Sequence, residues 1–391
     1  MAYYRLLSSI AITASLMAFI PSNLVSANSV LQPTPIVIKN LQNVEAITGS
    51  GTYLYIVNNN VVSKKSSAII EGMDGHHWKV PNVDGIPPFL GTETTRGIFV
   101  FTYPAGSSAI AYMFQIGKGI VSIIPGYRDP FAKSMYDAIE SDSGHWVAYR
   151  TNSPSGWGTG VYQWVDVDGS PVPMLNNVQA LNWSSDGVDL GYFSNQLGNG
   201  HGWVGIYNVK THKSRLLGIP VTLAQQNSNI FGWNSHGLYA SGSSTSLLNW
   251  SPSGDEIAAH CLAPDRLEIY SMKTSSMHQI SLPKGLDFWG WTTEGDIYAI
   301  TGNQIHIYHE NAGKWELSNR YQTPDVVAQV VSVSQGLLLG TNHYEVYLLK
   351  DSSLKLASPV MVKVWWYDTN NHLLYVLPTT SRKKIYAIRL Q

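Results

Sequence analysis

The chain has 391 residues, of which 13% are charged, with 25 basic and 26 acidic side chains and one Cys. So balanced and sparse a charge excludes the electrostatic footprint that nucleic acid or an anionic membrane surface requires. The lone Cys261 excludes an internal disulfide and a cysteine-built metal cage, so the core must hold the fold, and 13 Trp and 22 Tyr supply apolar area for it.

Residues 1–27 read as a secretory signal peptide. Arg5 provides the positive start, Leu6 to Ile20 form an apolar stretch, and Val25-Ser26-Ala27 places small residues at cleavage offsets. The stretch is short for a membrane span and carries Ser and Thr. Cleavage removes Arg5 and leaves 24 basic against 26 acidic side chains. No Cys directly follows the apolar run to take a lipid, and no later segment is long and apolar enough to span a bilayer. The mature chain, 28–391, is therefore expected outside the cytoplasm, secreted or periplasmic, without stable membrane insertion.

Beyond the signal, one phrase recurs. LNWSSDG (181–187) returns as LNWSPSG (248–254), and looser versions place Trp233 before Gly237 and Trp291 before Gly295 at the same four-residue offset. The turn persists without its Trp at Gly51, Gly97, Gly144 and Gly336, and closes at WYDTNN with Tyr367 and Asn371 in the two positions. Gly, or Asn in its place, suits a turn that needs positive φ. A short run rich in β-branched and aromatic residues follows each turn: TYLYIV, IFVFTY, HWVAYR, VDLGYF, DEIAAH, DIYAIT, LLLGTN, HLLYVL. A second run comes after a variable gap, and polar turns such as VKTHKS and MKTSSM lead to a last short strand. The unit is strand a, tight turn, strand b, loop, strand c, turn, strand d.

The turn positions step by 46, 47, 43, 67, 41, 41 and 35 residues. Four strands in about 40–45 residues is the period of a β-propeller blade. No stretch after the signal has helical apolar periodicity, so the fold class is all-β, a single β-propeller domain of four-stranded blades. Eight blades are expected, with seven as the alternative because Gly237 lies only 17 residues before Gly254. The last unit ends at strand c (KIYAIRL), and PIVIKN (35–40) is the candidate N-terminal strand to complete that blade and hide its edge.

LNWSSDGVDLGYFSN…GWVGIYNVKTHKSRLLG resembles a TolB-like propeller repeat, with its W-S-P-D-G core, following strand, I-Y-V strand and turn. The Trp-less units are similar to the looser WD-repeat-like superfamily. The resemblance covers 179–218 and 247–283 well and the rest in outline. It implies the propeller alone, since nothing here matches the small α/β domain that precedes the propeller in TolB.

Alternating strand direction puts a–b and c–d turns on one face and b–c and d–a connections on the other. The second set is read as holding every long loop: 71–88, 125–135, 151–160, 194–202, 218–229 and 260–265. Long loops on a rigid scaffold are where binding resides. The candidate partner-binding residues are Asp74, His76, His77, Trp78, Tyr127, Trp157, His201 and Trp203. Asp74, His76 and His77 offer a metal reading, but adjacent histidines on an extended strand point apart and no third ligand is assignable. Trp157 and Trp203, in Gly-rich surroundings, suit a stacked sugar or packed peptide, with core packing as the other reading of Trp203.

No catalytic residue, cofactor or metal is assigned. Gly-x-Ser-x-Gly is absent, and Ser184-Ser185-Asp186-Gly187 has its Asp one place off the sialidase Asp-box and no Thr-Trp after it. The function expected is a non-enzymatic, monomeric module binding a protein, peptide or cell-envelope glycan through the long-loop face. The alternative is a carbohydrate-active hydrolase or lyase at the channel mouth, built from carboxylates of distant blades. A purely structural envelope role is a third reading. The repeated W-S-x-x-G phrase itself is read as structure, a Trp wedge between blades and a turn that needs Gly.

Overall fold

The structure is a computed structural model. It describes residues 34–36, 44–48, 53–60, 65–72, 76–82, 89–93, 98–105, 108–123, 138–140, 146–151, 161–166, 178–194, 201–222, 248–262, 265–368, 371–380 and 385–390. Residues 1–27, read as a signal peptide, Gly237, and the turn glycines Gly51, Gly97 and Gly144 lie outside the described residues. Among the described residues no helix is long and apolar enough to cross a membrane.

Thirty-one strands form eight antiparallel sheets among the described residues. After β1 (Thr34–Ile36), sheet 1 holds β2 (Val44–Thr48), β3 (Tyr53–Asn60), β4 (Lys65–Gly72) and β5 (His77–Val80). Sheet 2 holds β6 (Phe89–Glu93), β7 (Ile98–Ala105), β8 (Ser108–Gln115) and β9 (Gly119–Ile123). Sheet 3 has three described strands, β10 (Ala138–Glu140), β11 (Trp146–Thr151) and β12 (Val161–Asp166). Sheet 4 holds β13 (Val178–Trp183), β14 (Asp189–Ser194), β15 (His201–Asn208) and β16 (Lys213–Thr222). Sheet 5 holds β17 (Leu248–Trp250), β18 (Glu256–Leu262), β19 (Asp265–Ser271) and β20 (Met277–Ser281). Sheet 6 holds β21 (Phe288–Trp291), β22 (Ile297–Thr301), β23 (Gln304–Asn311) and β24 (Lys314–Gln322). Sheet 7 holds β25 (Val327–Val333), β26 (Gly336–Thr341), β27 (Val346–Lys350) and β28 (Ser353–Leu356). Sheet 8 joins β29 (Val362–Asp368), β30 (Leu373–Pro378) and β31 (Ile385–Arg389) to β1, with Thr34 opposite Ala387 and Ile36 opposite Ile385.

The core lies between sheets. Along β18 the side chains alternate: Ile257, Ala259 and Cys261 pack on sheet 4 with Phe193 and Val204, while Ala258 packs on sheet 6 with Trp289, Trp291 and Ala299. In β22 the same alternation sends Ala299 back to sheet 5 and Ile300 forward to Leu337 and Leu339 of sheet 7. Two-sided burial explains why these strands read as continuous apolar runs rather than as half-polar ones. First strands of neighbouring sheets lie side by side from sheet 2 to sheet 6, and β2 of sheet 1 meets β29 of sheet 8.

The recurrent phrase builds both turn and wedge. Ser184 Oγ accepts from the Asp189 N–H at 2.9 Å, Ser251 Oγ from the Glu256 N–H at 3.1 Å, and Thr292 Oγ1 from the Asp296 N–H at 3.1 Å. Asp186 Oδ1 accepts from the Val188 N–H at 3.0 Å. Gly187 and Gly254 sit at φ 66° and 74°, where a Cβ is strained. In the last of these turns the left-handed residue is His372 (φ 55°), next to Asn371, whose N–H donates to Asp368 Oδ1 at 3.0 Å. The wedge is equally regular: Trp250 Nε1 donates to Asn182 O of sheet 4 at 3.1 Å, and Trp291 Nε1 to Asn249 O of sheet 5 at 3.3 Å. Each indole thus buries its ring and satisfies its N–H on the backbone of the preceding sheet.

Candidate functional site

Two of the stretches read as long loops carry strand. Residues 71–88 contain the end of β4, the c–d turn and all of β5, so His76 lies on the same face as the a–b turns and His77 and Trp78 belong to an outer edge strand. The His76 carbonyl accepts from the Gly72 N–H at 2.8 Å and its ring stacks toward Trp78 at 6.3 Å, which makes this a hairpin closure. Within 260–265, β18 runs through Leu262 and β19 starts at Asp265. His201 begins β15 opposite Thr222, and Trp203, half-buried, pairs with Ser194 and Pro220 at the b–c end of sheet 4. Asp74, Tyr127 and Trp157 lie outside the described residues. The described candidates therefore fall in two separate places, and His76, His77 and Trp78 are off the face assigned to them. Among the described residues no group of three or more His, Cys, Asp or Glu side chains is arranged to hold a metal ion.

The face of b–c and d–a connections presents a different set. Val326 precedes β25, Tyr344 sits in the b–c turn of sheet 7, and Met361 precedes β29, with 41%, 51% and 52% of their surfaces exposed. Backbone hydrogen bonds join the three segments. The Asn342 N–H donates to Val326 O at 3.0 Å, and the Val362 N–H donates to Tyr344 O at 2.6 Å. The pleat explains why they are exposed: Val327 and Val362 turn into the core, so the residue before each must turn out.

Tyr344 is held outward by its turn. Its φ is 65°, a left-handed conformation uncommon for a residue with a Cβ, and its N–H closes the turn on Thr341 O at 3.0 Å. Asp325 Oδ2 anchors the turn by accepting from the His343 N–H at 3.0 Å, and the His343 ring lies 2.8 Å away at Nδ1. Asp287 does the same one sheet earlier, accepting from the Gly302 N–H at 2.6 Å. A d–a aspartate thus staples the b–c turn of the sheet it leads into, and the short connections of sheets 6 and 7 are rigid.

Exposed apolar residues elsewhere are of another kind. Ile120, Leu216, Met277, Leu317 and Leu356 each stand on an outermost strand, one per sheet, the scattered exposure that ordinary surfaces carry. The opposite face is occupied by the capped a–b turns. On the first strands, described side chains in β13, β17, β21 and β25 include no carboxylate, and the fully buried Asp368 of β29 accepts from Asn371 through both oxygens, at 3.0 and 2.7 Å. Loop length in the sequence does not mark these residues, because they sit in short connections. The signals were an aromatic residue inside the short turn TNHYE, and the apolar doublets VV and MV at strand starts, of which the pleat can bury one member only.

No protein-family model matches the chain, and no curated protein matches it. Solved structures do. The Dos1 propeller is 11% identical with a TM-score of 0.52, over 91% of this chain and 95% of that one. Saccharomyces cerevisiae Sqt1 is 11% identical with a TM-score of 0.52, over 93% of this chain and 100% of that one. A eukaryotic initiation factor structure is 8% identical with a TM-score of 0.56, over 89% and 85%. Identity this low speaks to fold alone, and the fold is that of a β-propeller.

Proposed function

We propose that the protein is an exported, non-enzymatic, eight-bladed β-propeller that binds a protein or peptide partner through the face of its b–c and d–a connections. The observation that carries this reading is the exposed set Val326, Tyr344 and Met361, adjacent through backbone hydrogen bonds and projecting from stapled turns. Rigid apolar anchors lose little conformational entropy on binding, which is what a recognition surface needs. Two of the three are aliphatic, which favours a protein surface over a glycan, since sugars are gripped mainly by aromatic faces and polar groups. The W-S-x-x-G phrase supports a TolB-like type of repeat. Pairing of β1 with β31 supports closure of the eighth blade by the N-terminal strand. Export rests on the signal-like residues 1–27.

The test is comparative affinity capture from the extracellular and envelope fraction. One bait carries Val326→Asp, Tyr344→Asn and Met361→Asp together, and a control bait carries Leu216→Asp, Met277→Asp and Leu317→Asp. A partner held by the wild type and the control but at least about tenfold less by the face variant, with melting unchanged, is the expected result. Equal capture by all three baits overturns the choice of face.

A further inference from the structure

The apolar set Val326, Tyr344 and Met361 has carboxylates along one side. Asp325 immediately precedes Val326, and Glu345 immediately follows Tyr344. Both belong to the boundary between sheets 6 and 7. Asp325 lies in the connection from β24 to β25, and Glu345 bonds to Tyr347, which is buried between those sheets with Ile305 and Ile307. Met361 stands at the opposite side, its carbonyl accepting from the Thr379 N–H beyond β30 at 3.0 Å.

Each carboxylate is held through one oxygen and offers the other. Asp325 Oδ2 accepts from the His343 N–H at 3.0 Å, and His343 Nδ1 is 2.8 Å from the same oxygen. Glu345 Oε2 accepts from the Tyr347 hydroxyl at 2.6 Å. Burial first, then Glu345 and Asp325, push that hydroxyl's pKa up, so it stays a donor. Among the described residues Asp325 Oδ1 and Glu345 Oε1 have no hydrogen-bond or ion-pair partner, and neither is shut off from solvent. The connections of this face in sheets 6 and 7 (302–303, 323–326, 342–345 and 357–361) contain no Lys or Arg to neutralise them. Arg382, Lys383 and Lys384, between β30 and β31, lie outside the described residues.

Exposed apolar groups beside carboxylates that lack a cation are complementary to one kind of side chain. Arg and Lys lay an apolar stem on an apolar surface and carry the charge at its end, and a cation also gains from the face of a Tyr ring. Resting on the face reading above, we propose that the partner presents a cationic residue, Arg or Lys, next to an apolar one. The cation meets Asp325 and Glu345, and the apolar residue covers Val326, Tyr344 and Met361. The apolar set then supplies most of the affinity, and the carboxylates select the partner's charge and speed its encounter.

The experiment is selection of a display library of random linear peptides on the immobilised full chain. Peptides enriched by the wild type are expected to pair Arg or Lys with an apolar neighbour. A synthetic copy of the best one should bind about five- to tenfold more weakly to the double variant Asp325→Asn, Glu345→Gln, and more weakly to the wild type in about 0.5 M salt. Asn and Gln keep acceptors for the His343 N–H and the Tyr347 hydroxyl, so melting should not change. Replacing Arg382, Lys383 and Lys384 by Gln should leave binding equal or tighter. Neutral or acidic peptides that need Val326, Tyr344 and Met361 keep the face and overturn the cationic partner. Cationic peptides that bind the double variant as well as the wild type overturn it too. No enrichment, or equal enrichment on the variant Val326→Asp, Tyr344→Asn, Met361→Asp, overturns the face reading itself.

Discussion

Gly191 shows how tightly residue choice is bound to the contact between sheets. A Cβ at this position would lie 2.7 Å from Ile257 Cδ1, 2.9 Å from Leu248 Cδ2 and 2.9 Å from Trp250 Nε1. The glycine is therefore the socket for the Trp of the next sheet. Gly340 is the same device three sheets on, with Trp365 Nε1 2.5 Å from a Cβ position. Gly191→Ala is expected to cost about 1–3 kcal/mol by overpacking, read as a lower midpoint in urea unfolding, and unchanged unfolding would show that the indole has room to move. Trp183 and Trp250 were legible as packing residues from their spacing. The glycine sockets were not, because nothing in DLGYFS or GLLLGT marks Gly191 or Gly340 as facing an indole of the next sheet.

At the scale of elements, outer strands misled the reading and inner ones did not. HWKV is a four-residue edge strand with exposed, half-buried, exposed and buried positions, so its polarity resembles that of a loop. His260 similarly looks like a loop residue because the burial of an unpaired imidazole contradicts its polarity. The sequence expects PIVIKN (35–40) beside the last unit because that unit lacks a fourth strand, and β1, Thr34–Ile36, pairs with β31. The strand covers the edge of β31, whose Ile385 and Ile388 are buried. A chain starting at residue 37 should expose that edge and show concentration-dependent association by light scattering. Monomeric behaviour equal to the intact chain would mean that β1 contributes nothing to closure.

The whole molecule carries a pH dependence whose sign follows from the Glu256 carboxyl, pushed from 4.5 up to about 7 by burial first, then by Glu310 and Asp255. Gln mimics the protonated side chain, so Glu256→Gln removes the cost of ionising it in place. The wild-type contribution is present below 4.5 and gone above about 7, so the variant should melt as the wild type does at pH 4.5 and higher at pH 8. The difference at pH 8 should be about 1 kcal/mol, because the side chain is half exposed and solvent screens it. A variant no more stable than wild type at pH 8 would show that the carboxyl is not held back from ionising.

What the sequence by itself determined is what repeats locally: the all-β class, the four-strand period, the turn that requires Gly, and the Trp that marks the end of strand a. Those features depend on φ, on the two-residue pleat and on apolar content, all written within a few adjacent residues. Tertiary structure alone decided which connections share a face and which side chains meet across sheets. Val326, Tyr344 and Met361 become one surface only when three separate connections are hydrogen-bonded side by side. Trp250 meets its socket at Gly191 only when sheet 5 lies against sheet 4. Repetition makes the scaffold readable one unit at a time, whereas a site assembled from unlike residues of different sheets has no period to read.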